Sequence, residues 1–201
     1  MASIYSLKPA FQGLLRPVTR ALAGAGVTAN QVTFAAMAVS IAVGALIARF
    51  PAEPWPLLLL GPWLFVRMAL NAIDGMLARE HGQKSPLGGI LNELGDVVAD
   101  AALYLPFALV PGFNAALVVA AVILAVLTEM AGVVCAVVGA SRRYDGPFGK
   151  SDRAFAFGAL GLIVGLGVTL GRWVSVVFVV MIALLFATIV NRARRGLAEL
   201  T

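Results

Sequence analysis

Residues 112–140 read GFNAALVVAAVILAVLTEMAGVVCAVVGA, with one charged residue, Glu129, in the whole run. A helix crosses the hydrocarbon core of a bilayer with roughly 20 apolar residues, so this run is long enough and expected to tilt or project into the cytoplasm. It does not alternate apolar and polar positions, which argues against a membrane β-barrel. Working outward, comparable runs fall at about 31–49, 55–78, 87–110, 154–171 and 173–191. Residues 4 to about 22 mix apolar and basic positions, as an amphipathic helix in the interface does. The expected fold is all-α: an integral membrane bundle of six transmembrane helices plus an N-terminal amphipathic interfacial helix. A single domain covers 1–201: interfacial helix and turn over 1–30, spans over 31–191, a cytoplasmic tail over 192–201.

Composition agrees. The chain is 61% hydrophobic and 12% charged, about half the charge of a soluble protein. The net charge of +5 is not a nucleic-acid signature, because the arginines flank apolar runs and no basic stripe carries interleaved aromatics. The one cysteine, Cys135, rules out an internal disulfide. His81 has no second His or Cys beside it. The first apolar stretch holds Pro9, Pro17, Lys8, Arg16 and Arg20, which does not suit a cleavable signal peptide.

Loop charges orient the bundle. With the N-terminus inside, the cytoplasmic side holds Lys8, Arg16, Arg20, Arg79, Lys84, Arg142, Arg143, Lys150, Arg153, Arg192, Arg194 and Arg195. The outer side holds only Arg49 and Arg172. Both termini are then cytoplasmic. The Ala-, Gly- and Val-rich composition points to a bacterial inner membrane.

Charges inside apolar runs are functional candidates: Arg67, Asp74, Glu93, Asp96, Asp100 and Glu129. Any one alone reads as a helix cap or a local pair. Their spacing says more. At about 100° per residue, Arg67, Asn71, Asp74 and Ala78 share one face of the second span. Asn92, Glu93, Asp96 and Asp100 share an arc of the third. The short loop Glu80–Pro86 makes the two spans neighbours, so two oxygen-rich faces meet near the cytoplasmic end. Oxygen donors without His or Cys suit Mg²⁺ or another hard cation, Mn²⁺ included.

The stretch Asn71-Ala72-Ile73-Asp74-Gly75-Met76-Leu77-Ala78-Arg79, followed after eight residues by Gly88, Asn92 and Asp96, resembles the signature D-x-x-D-G-x-x-A-R…G-x-x-x-D-x-x-x-D of the CDP-alcohol phosphotransferases. The turn Gly26-Val27-Thr28-Ala29-Asn30-Gln31-Val32-Thr33 is similar to that family's G-x-T-P-N-x-x-T. The resemblance implies a transferase that moves a phosphatidyl-type group from a CDP-linked lipid donor, CDP-diacylglycerol above all, to a small alcohol or alcohol-phosphate acceptor, releasing CMP. It implies four aspartates holding two divalent metals, the last also acting as general base. Here the first and third are Asn71 and Asn92; Asp74 and Asp96 are kept. Asn can give a metal one carbonyl oxygen but no charge. Glu93 and Glu129 are the acids placed to compensate; otherwise one strong metal remains, or activity is lost.

By the same resemblance Asp74, Gly75, Ala78, Arg79 and Gly88 hold the nucleotide and Asp96 takes the acceptor's proton. For Gly75 and Ala78, small size serves helix packing equally well. The polar island Ser141–Arg153 has two readings. Its charges set topology, or Arg142, Arg143, Lys150 and Arg153 bind an anionic acceptor. Arg192, Arg194 and Arg195 read as lipid-headgroup anchors. Glu129, buried in its run, is expected to contact the metal or Arg67. A homodimer in membrane lipid is expected. Two other classes stand against the transferase: a catalytically silent CDP-lipid-binding relative, favoured by the two Asn residues, and a cation-coupled transporter, for which no internal repeat is found.

Overall fold

The structure, a computed structural model, describes the backbone of residues 4–201 and the side chains from residue 10. Met1–Ser3 and the side chain of Lys8 lie outside the described residues. Among those described, the chain is helical and has no strand. Seven α-helices follow one another: α1 (Ile4–Gly24), α2 (Ala29–Arg49), α3 (Trp55–Glu80), α4 (Pro86–Tyr104), α5 (Ala115–Val137), α6 (Lys150–Gly165) and α7 (Arg172–Leu200), with a 3₁₀ turn at Leu105–Leu109 after α4.

Four of these, α2, α3, α5 and α7, are long and apolar enough to cross a membrane. The other two expected spans differ for physical reasons. α4 carries Glu93, Asp96 and Asp100 within 19 residues, and α6 is only 16 residues long. The long central run is trimmed at both ends. Asn114 caps α5 by accepting from the Leu117 N–H at 3.3 Å, and Gly139, at φ 101°, turns the chain where other residues are strained. The resulting 23-residue helix spans roughly 35 Å, so it is not overlong as expected. α7 departs the other way: the expected tail over 192–201 is helical almost throughout. Arg, Ala, Leu and Glu are strong helix formers, and Arg192 is buried.

The chain forms two compact units, one of residues 1–42 and 62–99, the other of 43–61 and 100–201. In the first, Leu15, Leu22 and Ala23 of α1 pack on a core of Ala29, Val32, Ile73 and Leu77, while Leu14, Arg16 and Arg20 of α1 are exposed. The turn between α1 and α2 closes as a capping box: the Gln31 N–H donates to Thr28 Oγ1 at 3.2 Å and the Thr28 N–H to Gln31 Oε1 at 2.9 Å.

In the second unit five aromatic rings form the centre. Tyr104 and Phe157 stack with centroids 4.1 Å apart and planes 9° apart. Phe107, Phe113 and Phe178 add edge contacts at 5.2–6.0 Å. Lipid tails are as apolar as a phenyl ring, so contact density rather than water exclusion holds such a cluster. Phe157 is 1% exposed and Phe155 is 80% exposed. Phe157→Ala should cost on the order of 3 kcal/mol of packing and lower the midpoint of thermal aggregation in detergent. Phe155→Ala should leave it unchanged. Equal midpoints for the two would mean that the ring cluster does not hold this unit.

Candidate functional site

α3 presents Arg67, Asn71 and Asp74 at intervals of four and three residues, so their side chains leave one side of the helix. α4 brings Asp96 to meet them. The Asn71 amide donates to Asp96 Oδ1 at 3.3 Å, and the Arg67 guanidinium donates through Nη2 to the same oxygen at 3.3 Å and to the Asp96 carbonyl at 3.1 Å. Arg67 is 3% exposed, whereas a quarter of the Asp96 side chain is open. The two polar faces do meet across the helix pair. Asp74 points to α2 as well: its Oδ2 accepts from Thr33 Oγ1 at 2.8 Å. On α4, Asn92 is exposed and Glu93 half-buried.

Around this cluster the backbone is drawn tight. Gln83, in the α3–α4 loop, accepts from the Ala29 N–H at 2.7 Å and donates to the Val27 carbonyl at 3.3 Å, tying that loop to the start of α2. A Cβ at Gly88 would come within 2.8 Å of Asn30 Oδ1, so the first turn of α4 can approach α2 only without a side chain there. The Arg79 guanidinium folds back over Gly75, 3.0 Å from where a Cβ would stand. Ala78 packs beside the Ile73–Leu77 core. Thr33 and Asn30 were not singled out as site residues in the sequence. Their signal was the spacing of the turn that carries them.

The other acids lie in the second unit and engage arginines. Glu129, for which a metal or Arg67 was expected, engages three arginines of its own unit. Arg153 Nη2 meets its Oε1 at 2.9 Å, Arg142 Nη2 its Oε2 at 3.0 Å, and Arg192 Nη1 the same oxygen at 3.4 Å. Both carboxylate oxygens are occupied by guanidinium groups, which leaves Glu129 poorly placed as a metal ligand. Arg153 also reaches Asp100 at 3.3 Å and Thr128 Oγ1 at 3.1 Å. Arg192 is 1% exposed and donates to the carbonyls of Thr128, Tyr144 and Asp145. It is a buried strut rather than a headgroup anchor, and sequence reasoning missed it because its neighbours Arg194 and Arg195 are exposed.

The loop after α5 is held by charge. Arg143 bonds Asp145 at 3.0 Å and Glu199 at 3.0 Å, Arg195 reaches Asp145 at 3.3 Å, and Arg142 lies over the Tyr144 ring at 4.2 Å. Burial pushes the Asp145 carboxyl up, but the Arg143 hydrogen bond and charge outweigh it and hold the group below its usual range. Lys150 opens α6, half-buried. The expected acceptor-binding cations Arg142, Arg143 and Arg153 thus carry carboxylate partners.

The comparisons agree with this architecture. The chain is 47% identical over 192 residues to Inner membrane protein YnbA of Escherichia coli (strain K12), covering 96% of this chain and 95% of that protein. It is 31% identical over 103 residues to archaetidylinositol phosphate synthase of Pyrococcus horikoshii, about half of each chain, 51% and 52%. Its fold matches the Mycobacterium tuberculosis phosphatidylinositol phosphate synthase with CDP-DAG bound, at TM-score 0.74 and 18% identity over 90% of this chain and 92% of that one. The same enzyme in complex with manganese and citrate gives 0.73 and 18%, over 90% and 87%. At such identity these two speak for the fold alone. Four membrane-length helices and an inner membrane relative of nearly full length make this an integral membrane protein. A sequence profile for CDP-alcohol phosphatidyltransferase matches residues 26–190, and the chain belongs to that family, whose members are transferases of phospho-groups.

Proposed function

We propose that the chain transfers a phosphatidyl group from a CDP-linked lipid, of the CDP-diacylglycerol kind, to an alcohol at the α3–α4 cluster, on the cytoplasmic side of a bacterial inner membrane. The observation that carries the reading is the meeting of Asn71 and Asp96, two motif positions 25 residues apart, on one carboxylate oxygen. Support comes also from the relatives, one named an archaetidylinositol phosphate synthase and another a phosphatidylinositol phosphate synthase with CDP-DAG bound.

The donor set limits the cations it can hold. Among the described residues, no three His, Cys, Asp or Glu side chains gather as a metal site, and Asp96 Oδ1 already accepts from Arg67 and Asn71. Two divalent ions do not fit so few carboxylates. One fits the proposed ligands Asp74 and Asp96, with amide oxygen from Asn71 and Asn92 and with Glu93 one turn away. When bound, Mg²⁺ or Mn²⁺ neutralises charge on the donor's pyrophosphate.

The chain's own groups do the rest. Gly75 and Ala78 leave room for the nucleotide beside α3. Arg79, close over Gly75, forks a phosphate, and Gly88 lets α4 close on the site. Asp96 accepts the proton of the acceptor hydroxyl while that oxygen attacks the phosphorus carrying the lipid. The bond to the bridging oxygen breaks, and CMP leaves with both bonding electrons. Arg142, Arg143, Lys150 and Arg153 are the proposed acceptor-side groups. With their charges largely balanced by acids, a plain alcohol suits that loop as well as an alcohol phosphate. The full proposed arrangement is six spans with α1 in the interface, both termini inside, working as a homodimer.

Three measurements bear on this. Asp96→Asn should abolish CMP release while sparing nucleotide binding, since an amide cannot take the proton; unchanged turnover would end the base assignment. Anomalous scattering after a Mn²⁺ soak with nucleotide should place a peak about 2.0–2.6 Å from oxygens of Asp74 and Asp96. A peak elsewhere would remove the metal site from this helix pair. A single cysteine placed at position 82 or 146 should resist membrane-impermeant maleimide in intact cells, and labelling from outside would reverse the topology.

A further inference from the structure

The strongest unexplained feature is Arg67. It lies four residues before Asn71 on α3, is 3% exposed, and spends one nitrogen on both the Asp96 carboxylate and the Asp96 backbone carbonyl. A guanidinium inside a membrane bundle is costly to bury, and a buried ion pair of this kind adds little to stability compared with apolar packing.

Charge accounting gives it a role. Four motif carboxylates with two divalent ions sum to zero charge. Here two of the four positions are Asn71 and Asn92, and Arg67 adds a fixed positive charge on the last one. A second divalent ion at Asp96 would stand against this guanidinium, which its carboxylate and carbonyl contacts hold in place.

We propose that Arg67 is a built-in substitute for the second divalent cation: the chain binds one metal ion, and the guanidinium supplies the other positive charge at Asp96 and fixes that carboxylate toward the acceptor. Arg67 is a positioning residue acting through Asp96. The inference deepens the transferase reading and rests on its metal site.

The test counts bound ions. The purified full-length protein, saturated with CDP, is titrated with Mn²⁺ alone, and free Mn²⁺ is read from its electron paramagnetic resonance signal. Wild type should bind about one ion per chain. The pair Asn71→Asp with Asn92→Asp, which restores the four carboxylates, should still bind about one while Arg67 is present. Adding Arg67→Met to that pair should raise the count to about two, the number a four-carboxylate site takes, and Arg67→Lys in its place should return it to about one. Two ions on wild type, or on the double variant with Arg67 intact, would overturn the proposal while leaving the metal site standing. A triple variant that folds and still binds one ion would overturn it as well. No ion on wild type would overturn both the proposal and the reading beneath it. If the methionine variant fails to fold, the wild-type and double-variant counts still decide.

Discussion

A charged group held among helices in a bilayer has no water to fall back on, so it must find its partner inside the protein. That constraint organises both units of this chain. In one, Arg67 and Asp96 close α3 on α4. In the other, Glu129 gathers Arg142, Arg153 and Arg192, and Arg153 passes on to Asp100. Each pairing fixes the rotation of a helix that its apolar surface would leave undetermined, because an apolar face meets lipid or another helix with similar ease.

The two clusters differ in what they leave available. Around Glu129 the carboxylate oxygens are taken, Arg153 and Arg192 are buried, and Arg192 also donates to the backbone carbonyls of Thr128, Tyr144 and Asp145. That arrangement is closed, and it shapes the loop after α5 more than it offers a binding surface. Around Asp96 the balance is different. A quarter of the side chain is open, and the tie from Gln83 to the start of α2 holds the short loop in place. An open carboxylate on a rigid frame is what a proton acceptor requires.

Much of this was legible in the sequence, and the limits are physical. Apolar runs report helix existence directly, because run length must match the bilayer. They report helix ends poorly. The end of α7 was placed at the first arginines, yet Arg192 continues the helix because its charge is met inside. The convergence of α3 and α4 followed from a short loop and a shared face. Partner choice did not follow. Glu129 had several arginines within reach of a plausible fold, and Arg67 had more than one acid. Which pairs form depends on helix rotation and depth, which periodicity fixes only to within a residue or two. The link from Thr33 to Asp74 is of the same kind: 41 residues separate them, and only the folded turn brings them together.

The departures at Asn71 and Asn92 become intelligible once Arg67 is counted with them. Taken alone, two lost carboxylates read as decay of a metal site. Yet decay does not account for a buried cation on the one carboxylate proposed as the base, because an unused site in lipid gains by losing its charges altogether. Asp74 remains buried and hydrogen-bonded by Thr33, and Asp96 remains partly open. A site with Asn at two motif positions, a guanidinium on the last carboxylate and Asp74 and Asp96 in place is the one the proposal reads as balanced around fewer ions. The Arg67–Asn71–Asp96 contact is the place where that exchange of charge is visible.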